Sequence, residues 1–207
     1  MKNSIITLVL TLTFFCCQSQ KKNSNAPVGG PCEGCEAVFE YGKRALKAID
    51  TLPGFHQNEP KLKITGTVFK KDGREPAENV ILYIYHTNRK GIYETRGDET
   101  GWGRRHGYIR GWIKTGKDGR YTFYTFRPAS YPDRSEPEHI HIYIKEPGKN
   151  EYYIDDILFD DDPLLTASER SKRPNRGGSG IIRPQPGGGL FVIDRDITLG
   201  LNIPHYD

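Results

Sequence analysis

The chain has 207 residues, enough for one hydrophobic core and one domain. Hydrophobic residues make up 35% and charged residues 27%, which suits a soluble globular protein. The net charge of +4, spread among interspersed residues of both signs, is too weak and too scattered to argue for nucleic acid.

The N-terminus reads as an export segment. Lys2 supplies a positive start, and Ile5 to Phe15 is an apolar run too short to span a bilayer as a lasting helix. Cys16-Cys17 and a polar stretch from Gln18 to Asn23 follow. The segment resembles a bacterial lipoprotein signal with Cys16 or Cys17 as the lipidated residue, although Phe15 stands where a small residue is usual. A lipid anchor in the membrane, plain secretion and an uncleaved anchor all place the domain outside the cytoplasm, periplasmic, outer-membrane-anchored or secreted. The organisation read from the chain is a signal over residues 1–17, a linker with a short helical segment over 18–61, and a β domain over 62–207.

Asn23 to Pro31 is the linker, and Cys32-Glu33-Gly34-Cys35 comes next. A C-x-x-C outside the cytoplasm is a redox pair, half of a zinc site or a structural disulfide. Zinc needs two more soft ligands, and no βαβ pattern surrounds the pair, so a structural disulfide is the favoured reading. Glu36 to Thr51 is expected to be a short helix, with Val38, Tyr41, Ala45 and Ile49 at helical spacing.

From Leu62 the period changes to that of strands: Leu62–Phe69, Asn79–His86, Tyr108–Lys114, Arg120–Phe126, His139–Lys145, Leu190–Ile193 and Asp196–Leu199. Short strands with Gly-rich turns predict an all-β fold, an antiparallel β-sandwich with a short N-terminal helix and long C-terminal loops. Thr166-Ala167-Ser168-Glu169 has capping-box spacing, and Arg176 to Gly189 is expected to be a surface loop. Asp155, Asp156 and Asp160–Asp162 read as a solvated turn, and His86 and His106 as pocket-rim or surface residues.

His139 and His141 alternate with Ile140, Ile142 and Ile144. Residues two apart on a strand share a face, roughly 7 Å apart at Cα, so both imidazoles can aim at one ion. Two histidines alone do not define a metal. Phenolate is a hard, electron-rich donor that suits Fe(III), and Tyr131, locked by Pro132, and Tyr93, just after a core strand, are the candidates. Tyr108 is a rival to Tyr93.

In order along the chain stand Gly66-Thr67-Val68, Val80 to His86, Lys90-Gly91-Ile92-Tyr93, the run from Lys117 to Pro128, Tyr131-Pro132, His139-Ile140-His141 and Phe159 to Leu164. Together these segments resemble the intradiol ring-cleavage dioxygenases. The resemblance implies a mononuclear, non-haem Fe(III) held by Tyr93, Tyr131, His139 and His141. It also implies a catechol-type aromatic diol and O₂ as substrates, and Tyr131 as the ligand that leaves the metal to take a substrate proton. The family's arginine before the first histidine is replaced by Glu136-Pro137-Glu138, so Arg134 is the nearest candidate for its catalytic role. The loop from Tyr131 to His139 is also shorter than in well-known members. Two rivals are weaker. A cupin would share His139-x-His141-x₄-Glu146 but lacks its flanking glycines and second motif, and a non-catalytic transthyretin-like binding module would have lost the ligand set that is intact here.

Overall fold

A computed structural model describes residues 26–207. The apolar run Ile5–Phe15 and Cys16-Cys17 lie outside the described residues. In chain order the strands are β1 (Ile49–Thr51), β2 (Lys61–Phe69), β3 (Ile81–Tyr85), β4 (Arg110–Lys114), β5 (Arg120–Phe126), β6 (His139–Lys145), β7 (Tyr152–Tyr153), β8 (Ile157–Phe159), β9 (Ile181–Ile182), β10 (Gln185–Gly187), β11 (Leu190–Asp194) and β12 (Ile197–Thr198). Two sheets form the sandwich. One runs β1-β5-β2-β11-β10 with β12 beside β2, the other β4-β3-β6-β8-β9 with β7 beside β6.

The alternation along the strands builds the core between the sheets. Leu62, Ile64, Val68, Phe123 and Phe126 from the first sheet meet Leu82, Ile84, Ile140, Ile142 and Ile144 from the second. Each such side chain stabilises the fold by roughly 1.5–3 kcal/mol when fully buried. The central pairs are antiparallel, as the sequence predicts, but β1/β5, β2/β11, β2/β12 and β8/β9 are parallel. These parallel pairs add short segments from the two ends of the chain to sheets that the hairpins have already built.

The segment before β2 differs from its expected form. Only Cys35–Phe39 is helical, as one 3-10 turn, and the chain then becomes extended to form β1. Gly42, at φ 63°, breaks the helical path. The chain beyond it satisfies sheet groups instead, with Lys47 O accepting from Lys114 N and Ala48 O from Thr122 N. Ala45 and Ile49, which stand at helical spacing, are exposed.

This segment also covers the second sheet. Cys35, Ala37 and Val38 pack on Tyr83, Tyr85, Trp112 and Tyr143, and the Trp112 indole donates to Ala37 O at 3.0 Å. The second sheet is therefore buried on both faces, and the boundary drawn before Leu62 falls inside one packed unit. A disulfide joins Cys32 to Cys35, as the C-x-x-C suggested. Thr166 caps the five-residue helix α2 (Ala167–Ser171) by accepting from Glu169 N. Two short strands, β9 and β10, interrupt the stretch from Arg176 to Gly189 that reads as loop. Among the described residues no helix is long and apolar enough to cross a membrane.

Candidate metal centre

The outer face of the second sheet carries the site. On β6 the isoleucines point into the core, so His139 and His141 share the opposite face with ring centroids 4.6 Å apart. Two loops at the same end of the sandwich bring the phenols. The loop after β3 turns at Asn88, whose side-chain oxygen accepts from Lys90 N at 2.8 Å and Ile92 N at 3.2 Å. The loop after β5 is tied to it, with Thr87 Oγ1 donating to Ala129 O at 2.7 Å and Ala129 N to Asn88 O at 3.2 Å. Gly91 lets them touch: a Cβ there would lie 2.0 Å from Ser130 O, and its φ is +75°.

The four expected ligands converge. Tyr93 Oη is 2.9 Å from Tyr131 Oη and 2.7 Å from His141 Nε2, and Tyr131 Oη is 3.2 Å from His139 Nε2. Each imidazole is oriented from behind. His139 Nδ1–H donates to Pro137 O at 2.7 Å, and His141 Nδ1–H to Asp156 Oδ1 at 3.1 Å. Those bonds fix the tautomers, leaving both Nε2 lone pairs facing the phenol oxygens, the arrangement that metal-binding histidines use.

Electrostatics fit a metal as well. Burial lowers the His139 pKa, and the neighbouring His141 lowers it further, so the ring stays neutral. Burial works to raise Asp156, but the His141 imidazole bonded to it, helped by Arg195, outweighs burial and holds the carboxyl below its usual range. Burial raises both phenols, with the Tyr131 hydrogen bond adding to the effect at Tyr93, so a cation must displace their protons to bind them. Two hard oxygens and two imidazole nitrogens suit a trivalent iron better than a soft or alkaline-earth ion.

Beside the donors lies a cavity of about 340 Å³, lined by Tyr93, Tyr131 and His141 together with Tyr85, Trp102, His106, Glu33 and Arg105. Two larger clefts, about 420 and 400 Å³, lie elsewhere and contain none of the four donors. The ring of Tyr85 is stacked between His141, at 4.4 Å, and His106, at 3.9 Å, and Trp102 stacks beyond His106.

Several side chains are not where the sequence places them. Arg134 is exposed in the left-handed region at φ 56°; its backbone N donates to Tyr131 O, and its side chain is not brought to the donors. The cation at the cavity is Arg105. Tyr108 lies in another cleft, under the Arg96 guanidinium at 4.0 Å. His86 is a core residue bonded to Thr87 O and Thr125 Oγ1, and burial lowers its pKa to about 4.

His106 is buried but lines the cavity, with Nδ1 2.9 Å from Tyr83 Oη and a pKa lowered to about 3, chiefly by burial. The signal for it in the sequence was weak: Trp102 and His106 stand four apart and share one side of the single helical turn α1 (Gly103–His106). The acidic stretch is a solvated turn only at Asp160 and Asp161. Asp156 orients His141, while Asp155 accepts from Asn175 N and Arg176 N, and Asp162 from Glu138 N.

The β-sandwich gathers two tyrosines and two strand histidines at one end, and the comparisons give the chain a family. A family model described as "Dioxygenase" matches residues 40–172. Catechol 1,2-dioxygenase 1 of Acinetobacter lwoffii is 28% identical over 164 residues, 69% of this chain and 50% of that protein. The protocatechuate 3,4-dioxygenase beta chain of Burkholderia cepacia is 26% identical over 137 residues, 60% of this chain and 58% of that one. The chain thus spans half to three-fifths of the length of the curated relatives it matches. The dioxygenase domain of a dioxygenase–carbohydrate-binding fusion from Streptomyces sp. SirexAA-E shares the fold, with a TM-score of 0.52 at 23% identity over 69% of this chain and 82% of that one. The chain belongs to the intradiol ring-cleavage dioxygenase family.

Proposed function

We propose that this protein holds one Fe(III) through Tyr93, Tyr131, His139 and His141 and uses O₂ to cleave a catechol-type aromatic diol between its two hydroxylated carbons. The product is a muconate-type diacid that keeps both oxygen atoms. The observation that carries the reading is the meeting of two phenol oxygens and two imidazole Nε2 atoms within hydrogen-bond distance, with each Nδ1 tied back to an acceptor. When bound, the ferric ion would draw electron density from the diol and so open its ring carbons to O₂.

The chain's own residues do the rest. His139 and His141 are fixed donors, because Pro137 O and Asp156 hold their rings from behind. Tyr131 is the mobile member. Like Tyr93 it sits on a loop and is partly exposed, and its oxygen can leave the site and accept a proton from an incoming diol hydroxyl. Tyr93 and Trp102 line the cavity with aromatic surface that helps orient a planar ring and exclude water from it, and Tyr85, stacked between His141 and His106, backs them. Purified protein reconstituted with iron should be red-brown from phenolate-to-iron charge transfer, and the band should shift when catechol is added. A colourless protein that binds no iron would end this reading.

Export belongs to the same proposal. Lys2, the apolar run Ile5–Phe15 and Cys16-Cys17 support delivery outside the cytoplasm, with a lipid on Cys16 or Cys17. The Cys32–Cys35 disulfide suits such a compartment. Intact-mass analysis of the membrane-extracted protein tests it, and a full-length, unlipidated chain recovered from cytosol would reject it.

A further inference from the structure

One wall of the cavity comes from outside the region that the family model matches. The match begins at residue 40, whereas Glu33 lines the cavity from within the Cys32–Cys35 loop. That loop is held from several directions. The disulfide closes it, Tyr143 Oη donates to Glu33 O at 3.3 Å, and Gly34 packs so tightly that a Cβ there would lie 2.8 Å from His106 Nε2 and 3.3 Å from Trp102. On its far side a second cavity, about 280 Å³, is lined by Glu33, Cys32, Tyr143, Tyr153, His141 and Asp156. The loop is thus a partition between two hollows that both reach His141.

The charge on this partition is specific. Arg105 is the one cation among the residues lining the first cavity, and its Nη1 pairs with Glu33 Oε1. Both side chains are mostly exposed, 65% and 70%, so their pairing is weak and salt-sensitive. Glu33 still cancels the charge that would otherwise attract an anion. The second hollow holds carboxylates and no lysine or arginine, with Glu33 and Asp156 both lining it.

We propose that the Glu33–Arg105 pair sets substrate class in this protein: it favours a single-ring diol with an uncharged substituent and discriminates against a diol carrying a carboxylate. This rests on the diol-binding reading of the site above. Removing the Glu33 charge frees Arg105 for a planar two-point contact with a carboxylate. Removing the Arg105 charge leaves Glu33 unopposed and makes the discrimination sharper. A cavity of about 340 Å³, at the small end for ligand sites, suits one aromatic ring.

The test uses iron-loaded protein under nitrogen, so that no turnover occurs, with catechol and 3,4-dihydroxybenzoate titrated calorimetrically. The wild type should bind catechol more tightly. Glu33→Gln should shift the ratio of the two Kd values toward 3,4-dihydroxybenzoate by about two- to fivefold, and Arg105→Gln should shift it the other way by a similar factor. Both shifts should shrink in high salt, which a purely steric effect would not do. Catechol, which carries no charge outside the diol, is the reference against which the ratio is taken. If both diols bind and the ratio is the same in all three proteins, or both variants move it in one direction, the pair has no such role and the diol-binding reading stands. If neither diol binds any of them, both readings fail together.

Discussion

Replacing Gly91 by alanine should disrupt the proposed metal centre without unfolding the protein. The added methyl would lie 2.0 Å from Ser130 O and 2.9 Å from Ser130 C, in a backbone at φ +75°. Left-handed backbone alone costs about 1–2 kcal/mol for a residue with a Cβ. Relieving the overlap requires the loops to part by about 1 Å, since ordinary van der Waals contact between carbon and oxygen begins well beyond 3 Å. Ser130 immediately precedes Tyr131 and Gly91 lies two residues before Tyr93, so that parting opens the 2.9 Å approach of the two phenol oxygens. A misplacement of about 1 Å is worth roughly a hundredfold in rate, or about 2.7 kcal/mol. The sandwich, whose core lies on the other face of the second sheet, has a typical reserve of about 5–15 kcal/mol and should remain folded. The assay pairs far-UV circular dichroism and thermal melting with iron affinity from a chelator competition. The expected variant is folded, with a melting point a few degrees lower and iron affinity down at least tenfold. Wild-type iron affinity and an unchanged visible band in Gly91→Ala would refute the idea that this close approach sets the donor geometry.

Asp156→Asn should lower iron affinity by about 10–100-fold while the ligands stay in place, because it removes the carboxylate behind His141; equilibrium dialysis measures it. Tyr93→Phe and Tyr131→Phe should each bleach or shift the charge-transfer band with little change in melting temperature, and an unchanged absorption spectrum in either would remove that phenol from the site. Arg134→Ala should leave both iron binding and turnover near wild type, since its side chain is exposed; a large fall in kcat would return it to the mechanism. Acid should destabilise the fold through His86. Its pKa falls from 6.5 to about 4 on burial, so its contribution is complete above pH 6.5 and is lost as pH drops toward 4. The loss reaches about 3 kcal/mol, and urea melts of wild type and His86→Gln between pH 7 and 4 should show a steeper decline in the wild type.

The β-sandwich was legible because its strands alternate cleanly. The pattern of β6 alone, isoleucine against histidine and tyrosine, separates core face from site face. The convergence of Tyr93, Tyr131, His139 and His141 was legible because they come in recognisable local segments, two on one strand and two beside fixed turns. What the sequence hid depends on partners far along the chain. Glu36 to Thr51 has helical spacing, yet its backbone bonds to residues 114 and 122 decide its form. Asp156 looks like part of an acidic turn until β8 is paired with β6 and brings it behind His141. Arg134 is the nearest basic residue before His139 in sequence, but a left-handed turn leaves it in solvent. The cation that does reach the cavity, Arg105, comes from α1, and no local pattern links that helical turn to the histidine strand.

The column of rings that runs from His141 through Tyr85 and His106 to Trp102 has an optical consequence. The chain has two tryptophans, Trp102 and Trp112, and both lie on the outer face of the second sheet, under or beside the N-terminal segment. Neither belongs to the apolar core between the sheets. Tryptophan emission from this protein therefore reports on one side of the molecule only. Ligand entering the cavity, or the covering segment lifting away, changes the surroundings of an indole directly, while loosening of the sandwich interior leaves both nearly untouched. Fluorescence and circular dichroism will see two different events in this chain, and the interval between them measures how far the site side can open before the sandwich gives way.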